Sequence, residues 1–156
     1  CGKCVGCATR HRGFLDAMAK AQLDVPESYI HHVEGGEPML GQISIDYFTR
    51  LSPRPTAIVC FNDMLAIGVL KSCEMAGLKV PEDLSVTGFD NITYSAFTTP
   101  CLTTFDQPKF SIGQEAAQLL LDLLQAEDGS IPETPNVKII KGKLLVRGST
   151  GIPGEV

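Results

Sequence analysis

Two pairs of polar residues stand directly after two apolar segments of the sequence. Asn62 and Asp63 follow the run "TAIVCF", and Asp90 and Asn91 follow the run "LSVTGF". Carboxylate and carboxamide groups hold hydrogen bonds in fixed geometry, which suits hydroxyl-rich or heterocyclic ligands. The same residue types are equally suited to a helix cap at Asn62 and a turn at Asp90 and Asn91.

A second group of residues near the start of the chain has the spacing of metal ligands. A C-x₂-C-x₂-C run followed by a histidine resembles the first ligands of a zinc or cluster site. One such motif is weak evidence, and free thiols are the more common outcome. The candidate metal ligands are Cys1, Cys4, Cys7 and His11.

The elements that must position these residues alternate between helix and strand. Apolar residues at helical spacing mark the helices, and short β-branched runs mark the strands. This alternation predicts an α/β fold with a parallel sheet and flanking helices. The strand over residues 56–61 is almost entirely apolar and should be buried on both faces. The predicted order is helix 8–23, strand 28–33, helix 38–51, strand 56–61, helix 62–77 and strand 83–89.

After Thr93 the pattern changes. Residues 98–105 should be extended, and residues 111–127 form the most strongly amphipathic helix of the sequence. Residues 136–150 are typical of two strands around a turn at 141–143.

The predicted sheet brings the two polar pairs together. Ligands of open parallel sheets collect beyond the carboxyl ends of the strands. Asn62 and Asp63 end one strand and Asp90 and Asn91 end the next, so all four should lie at one edge. A ligand-binding site is therefore expected there. Arg10, at the start of the first helix, is a further candidate because a guanidinium can fork onto hydroxyls or a carboxylate.

Composition narrows the class of protein. The 156 residues suit one domain or one large part of a two-lobed protein, and a 44% hydrophobic content is enough for a core. A net charge of −5 makes this polypeptide alone a poor nucleic-acid binder. The sequence has no apolar run long enough to span a bilayer and no opening signal peptide, so a cytoplasmic location is expected. Cys60 and Cys73 lie in apolar patterns and should be buried, reduced thiols.

Several motifs together resemble the effector-binding domain of the LacI/GalR family of bacterial transcription regulators. They are "RHRGFLDAMAKAQLDV", "RPTAIVCFNDMLAIGVLKSCEMAGLKVPEDLSVTGFDN", "PCLTTFDQPKFSIGQEAAQLLLDLL" and "LLVRGSTG". The resemblance covers residues 8–151 in the right order. It implies a periplasmic-binding-protein-like fold of two α/β lobes with the ligand held between them.

The resemblance also implies a division of the chain. Residues 8–99 would supply the C-terminal lobe, and residues 100–151 the crossover, a helix packed on the other lobe, and the closing strands. Residues 1–7 match nothing in the family and stay unassigned, and residues 152–156 form a tail. The family's helix-turn-helix has no counterpart in this sequence, so DNA binding would depend on a segment outside it.

Individual residues carry over from the family by position. The effector contacts implied are Asp90, Asn62, Arg10 and Gln107, while Asp63 and Asn91 would act as caps or supporting residues. The family pairs side by side, which implies a homodimer. Its interface would use Met64, Leu65, Ile92, Tyr94 and Phe97, although packing within the lobe is an equal alternative. Where many relatives carry an aromatic residue, this sequence has Gly35 and Gly36, which leaves the ligand class open.

The expected function is effector sensing in a LacI-type regulator. A small sugar- or nucleoside-like effector would shift the protein between two states of different operator affinity, with no catalysis and no cofactor. A periplasmic-type sugar-binding transport protein is the first alternative. A metal or cluster protein using the N-terminal cysteines is the second.

Overall fold

The computed structural model describes residues 5–125 and 137–153, and it confirms the α/β fold. Helices α1 and α2 follow each other without a strand between them, β1, α3 and β2 then alternate, and α4 lies between β3 and β4 in the second part of the chain. The elements are α1 Val5–Lys20, α2 Pro38–Thr49, β1 Ala57–Val59, α3 Asp63–Ala76, β2 Ser85–Thr87, β3 Thr104–Asp106, α4 Lys109–Leu124 and β4 Lys143–Leu145.

The strands form two small ladders joined by one bridge. Strands β1 and β2 are parallel, with Ile58 opposite Val86. Thr87, at the end of β2, forms a parallel bridge with Thr103, directly before β3. Strands β3 and β4 are antiparallel, with Phe105 opposite Leu144. The parallel part confirms the predicted topology, and the bridge places β3 beside β2.

Helix α3 has the caps expected from the sequence. The Asn62 side-chain oxygen accepts a hydrogen bond of 2.8 Å from the backbone N–H of Leu65, which satisfies one of the free donors of the first turn. Gly77 ends the helix with φ of 71°, a left-handed conformation that glycine adopts without a Cβ penalty.

The core lies between the α2–α3 pair and one face of the β1–β2 ladder. The two helices approach closely because glycines face backbone at their crossing. A Cβ at Gly68 would lie 1.9 Å from the carbonyl oxygen of Pro38, and one at Gly41 would lie 2.0 Å from that of Leu65. The core residues are Ile45, Ile58, Cys60, Leu65, Ala66, Val69, Leu70, Cys73, Leu84, Val86 and Leu102.

Cys60 and Cys73 are buried free thiols, as predicted. Burial raises the pKa of Cys60 to about 12 and that of Cys73 to about 11. Both thiols therefore stay protonated at neutral pH and serve as small apolar side chains in the core.

The prediction that strand 56–61 is buried on both faces was wrong. Ile58 and Cys60 are buried, but Val59 between them is 59% exposed. The described helices α2 and α3 cover one face of the ladder, so the strand follows the alternation of a sheet with a single covered face.

The predicted strand over residues 28–33 was also wrong. A 3₁₀ turn occupies Glu27–Tyr29, and residues 30–33 are irregular. His31 stacks on Tyr47 with 4.3 Å between ring centroids, and meets Phe48 edge-on at 5.9 Å. Side-chain packing on α2 therefore holds this segment. A β-branched, aromatic composition favours extended backbone, but a strand also needs a hydrogen-bonded neighbour.

Of the two strands predicted within residues 136–150, the described residues contain only β4. Residues 137–142 are irregular, and Val137 and Ile139 are 75% and 86% exposed. Strand β3 offers only three residues for pairing, so the ladder ends where Asp106 meets Lys143.

Helix α4 begins two residues earlier than predicted and has no buried residue among those described. Its apolar side chains are exposed instead, including Phe110 at 84% and Leu124 at 73%. Within the described parts of the chain, no helix has the length and apolar character needed to cross a membrane.

Candidate ligand-binding site

The two polar pairs lie at one edge of the sheet, as the sequence predicts. Beyond β1, the backbone N–H of Cys60 donates to the carbonyl of Thr87 at 2.9 Å, and that of Asp63 donates to Phe89 at 2.9 Å. These hydrogen bonds carry the parallel pairing past the ends of β1 and β2. The start of α3 is thereby held beside Asp90.

Asp90 is the centre of a polar cluster formed by three of the four predicted contacts. Arg10 Nη2 lies 3.6 Å from Asp90 Oδ1, and the Gln107 Nε2 amide donates to the same oxygen. The side chains of Arg10 and Asp90 remain 28% and 27% exposed. Among the described residues, no hydrogen bond reaches Asp90 Oδ2.

Arg10 is held in place by aromatic rings. Its guanidinium carbon lies 4.4 Å from the ring centroid of Phe61 and 3.9 Å from that of Phe89, both within cation–π range. Its Nη1 donates to the carbonyl oxygen of Phe61 at 2.8 Å. Phe89 in turn stacks on Phe105, with centroids 4.9 Å apart. These contacts fix the orientation of the guanidinium within the protein.

The backbone at the centre of the site is unusual. Asp90 has φ of 118° and Asn91 has φ of 48°, a region that non-glycine residues rarely adopt. Contacts from neighbouring segments hold this turn, among them a hydrogen bond of 3.3 Å from the N–H of Asn91 to Thr104 Oγ1. Asp90 N–H donates to the Phe105 carbonyl at 3.0 Å, and Lys109 Nζ donates to the carbonyl oxygens of Asp90 and Asn91. Strained backbone of this kind often lies at functional sites.

Burial raises the pKa of the Asp90 carboxyl above its usual value. Desolvation outweighs the opposing effects of the Arg10 charge, the Gln107 hydrogen bond and the Lys109 charge, and the buried Asp63 adds to the increase. Asp90 is thus a carboxylate whose ionised form gains from any further donor that replaces the lost hydration.

Asn62 is a helix cap, and it also fastens the turn before α2. While its oxygen caps α3, its Nδ2 donates to the carbonyl of Gly36 at 3.3 Å. A Cβ at Gly36 would lie 2.5 Å from that nitrogen, so the glycine is needed for this approach. An amide nitrogen carries two hydrogens, so one further donor remains for the ligand role predicted for Asn62.

Asp63 and Asn91 support the site through hydrogen bonds that are buried or partly buried. Asp63 is fully buried, and its two oxygens accept from Thr104 Oγ1 at 2.5 Å and from the N–H of Ile92 at 2.8 Å. Asn91 Nδ2 donates to Asp106 Oδ1 at 2.9 Å. These contacts tie the turn after β2 to both α3 and β3.

The predicted dimer residues divide into two groups. Met64, Tyr94 and Phe97 are 36%, 69% and 79% exposed, and Ile92 is partly buried. Leu65 must be corrected: it is only 6% exposed and packs in the core against α2, so a partner cannot reach it. Its position on the inner face of α3 decides this.

The metal hypothesis concerns side chains outside the described part of the chain, namely Cys1, Cys4 and Cys7, so it stays a prediction. His11 is described. Its ring meets that of His32 edge-on at 6.2 Å, and its Nε2 is buried with no hydrogen-bond partner among the described residues. No group of three or more His, Cys, Asp and Glu residues within 5–125 and 137–153 could hold a metal ion.

Sequence reasoning missed several residues of the site. Phe61 and Phe89 could have been identified, because an aromatic residue precedes each polar pair. Lys109 lies two residues after Gln107, so it could also have been identified from the sequence. Arg147, which donates to Asn91 Oδ1 at 2.8 Å, is 56 residues away along the chain, so no local pattern could connect them.

Residues 3–150 match the family described as the periplasmic binding protein-like domain. The chain belongs to this family. Over 116 residues it is 43% identical to the HTH-type transcriptional repressor PurR of Escherichia coli O1:K1, covering 74% of this chain and 33% of that protein. The chain thus spans about one third of the length of the curated relatives it matches.

Solved structures of LacI-family regulators share the fold of this periplasmic binding protein-like domain. A putative regulator from Sanguibacter keddieii has a TM-score of 0.83 and 30% identity, over 92% of this chain and 54% of that one. A regulator from Enterococcus faecium with bound ribose has a TM-score of 0.76 and 31% identity, over 90% and 50%. The predicted resemblance to LacI-family regulators is confirmed.

Proposed function

We propose that this chain senses a small hydroxyl-bearing effector, of the sugar or nucleoside class, for a LacI-type transcription regulator. The observation that carries the proposal is the convergence of Arg10 and Gln107 on one oxygen of Asp90 at the open end of the sheet. A carboxylate flanked by oriented donors matches a ligand hydroxyl, which can donate to the carboxylate and accept from the guanidinium.

Within the cluster, the Arg10 charge balances that of the Asp90 carboxylate. Arg10 and Gln107 occupy Asp90 Oδ1, which leaves Oδ2 for a ligand hydroxyl. The rings of Phe61 and Phe89 hold the guanidinium, so binding costs little ordering of that side chain. Asn62 would add its remaining amide hydrogen from the neighbouring strand end.

We further propose that the site is one wall of a cleft between two lobes. In this proposal residues 8–99 supply the C-terminal lobe, and residues 100–151 supply the crossover, a helix packed on the N-terminal (second) lobe, and the closing strands. The exposed apolar residues of α4, such as Phe110, Leu120 and Leu124, support packing of this helix on the second lobe. Effector binding between lobes would favour one arrangement and thereby alter operator affinity.

The same proposal implies which partners the protein has and where in the cell it acts. DNA would be bound through a helix-turn-helix outside this chain, in a cytoplasmic homodimer without catalytic activity or cofactor. Met64, Ile92, Tyr94 and Phe97 would contribute to the dimer interface. Tyr94 and Phe97 belong to the short 3₁₀ segment Thr93–Ala96 and its cap, and their exposure supports this assignment.

Thermal denaturation of the complete protein, with D-ribose and a panel of sugars and nucleosides, tests the site. A compound that binds the native state raises the melting temperature by mass action. The increase should disappear in Asp90→Ala and persist in Asp16→Ala, which removes an exposed carboxylate of α1. A compound that still stabilises Asp90→Ala would place the effector elsewhere and contradict the proposal.

A further inference from the structure

Arg147 lies just beyond β4, and its guanidinium donates to three acceptors in two segments, residues 91–95 and Leu102. Nη2 donates to Asn91 Oδ1 at 2.8 Å, while Nη1 donates to Ser95 Oγ and to the carbonyl of Leu102, both at 2.9 Å. All three acceptors are neutral, and none of the ion pairs found in the described residues involves Arg147. Because these acceptors carry no charge, the contacts of Arg147 fix the positions of neighbouring groups rather than neutralise a carboxylate.

The arginine is itself held firmly at its backbone. Its N–H donates to Thr103 Oγ1 at 2.8 Å, and the Thr103 hydroxyl also lies 3.3 Å from its carbonyl oxygen. Two residues on, the buried Ser149 donates from Oγ to the Val86 carbonyl at 2.6 Å and accepts from the N–H of Thr103 at 2.8 Å. The guanidinium therefore projects from a rigid seam between β2 and the segment before β3.

The acceptor Asn91 is the residue that follows the ligand-site carboxylate. Its φ of 48° and the φ of 118° at Asp90 make a turn that costs backbone energy. The Asn91 side chain is fixed at both ends, since Oδ1 accepts from Arg147 and Nδ2 donates to Asp106 at 2.9 Å. An anchored side chain at this position holds the strained turn in one conformation.

We propose that Arg147 is a positioning residue of the effector site: through Asn91 it holds the turn that directs the Asp90 carboxylate toward Arg10 and Gln107. The inference rests on the proposed function only in taking Asp90 as the effector contact. It links the segment after β4 to the site, so a displacement of that segment would move the ligand-binding carboxylate.

Hydrogen exchange in the complete protein, followed by mass spectrometry, tests this directly and without a ligand. In Arg147→Met, peptides covering residues 88–93 should exchange at least about 10-fold faster, because the turn opens locally. Peptides covering residues 64–73 of α3 should be unchanged. A residue with only a general structural role would accelerate both regions together. Arg12→Met removes an exposed arginine and is the matched control.

Asn91→Gly gives a second test, should Arg147→Met fail to fold. Glycine tolerates the positive φ but removes the anchor, so it should reproduce the faster exchange at 88–93. Unchanged exchange there in the folded variants would overturn the proposal. Thermal shifts with D-ribose and the nucleoside panel separate the two ideas. Faster local exchange with effector binding indifferent to Asp90→Ala would contradict the proposed function and leave Arg147 as the residue that positions the turn.

Discussion

The carboxylate of Asp63 and the hydroxyl of Thr104 are both fully buried and share a hydrogen bond of 2.5 Å. The second oxygen of Asp63 accepts from the N–H of Ile92 at 2.8 Å. One side chain at the start of α3 thus joins β3 to the turn that carries Asp90. Asp63 therefore holds the turn that carries Asp90 in a fixed position relative to α3 and β3.

Asp63→Ala should strongly destabilise the protein. The substitution leaves the Thr104 hydroxyl and the Ile92 N–H buried without their acceptors, which costs about 2–4 kcal/mol in the free energy of unfolding. Urea denaturation of wild type and variant measures the loss. Asp16→Ala, at an exposed position of α1, should change stability by less than about 0.5 kcal/mol. Equal stability of the two variants would contradict the role given to Asp63.

The raised pKa of Asp90 predicts a definite pH dependence of stability. An acid with a raised pKa in the folded state favours folding while protonated, and that contribution is lost as pH rises through the folded-state pKa. From below the ordinary pKa of 3.8 upward, wild type should therefore lose stability relative to Asp90→Asn, which cannot ionise. Urea denaturation of both proteins at several pH values between about 3 and 7 measures the difference. A gain for wild type with rising pH would show that the Arg10 charge dominates instead.

Two glycine substitutions should have opposite effects on stability, because one glycine lies at the close crossing of α2 and α3 and the other faces open space. Gly68→Ala forces a methyl group against the Pro38 carbonyl and should cost about 1–3 kcal/mol despite the better helix propensity of alanine. Gly13→Ala, at an exposed position of α1, meets nothing within 4 Å and should stabilise its helix by about 0.5–1 kcal/mol. Denaturation midpoints of the two variants test the signs. A neutral Gly68→Ala would mean that the helices can separate at little cost.

The exposed aromatic residues near the site predict an effect on self-association. Phe97→Lys places a charge on a side chain that is 79% exposed, and should weaken the proposed dimer by about 2 kcal/mol, or roughly 30-fold in Kd. Leu23→Lys, at a 56% exposed residue after α1, is the control and should leave association unchanged. Sedimentation of the complete protein at micromolar concentration measures both. A monomeric wild type would contradict the interface.

The sequence determined the features whose causes are local. Asn62 and Gly77 cap α3 because their side-chain chemistry and backbone freedom act within one helical turn. Apolar spacing located the four α-helices of the described residues, and the alternation of elements predicted a parallel sheet that brings Asn62 and Asp90 to one edge. The motifs that resemble LacI-family regulators led to Arg10 and Gln107, which the structure places against Asp90.

Only the tertiary structure decided the features that depend on a distant partner. Residues 28–33 and 137–140 have strand-like composition, but a strand exists only where a neighbouring strand pairs with it. The family resemblance assigns Leu65 to a dimer interface, whereas the packing of α2 on α3 buries it in the core. The left-handed turn at Asp90 and Asn91, and the reach of Arg147 to it, arise from contacts between residues far apart in the chain. Such contacts form only when the folded backbone brings the partners together, and no local spacing records them.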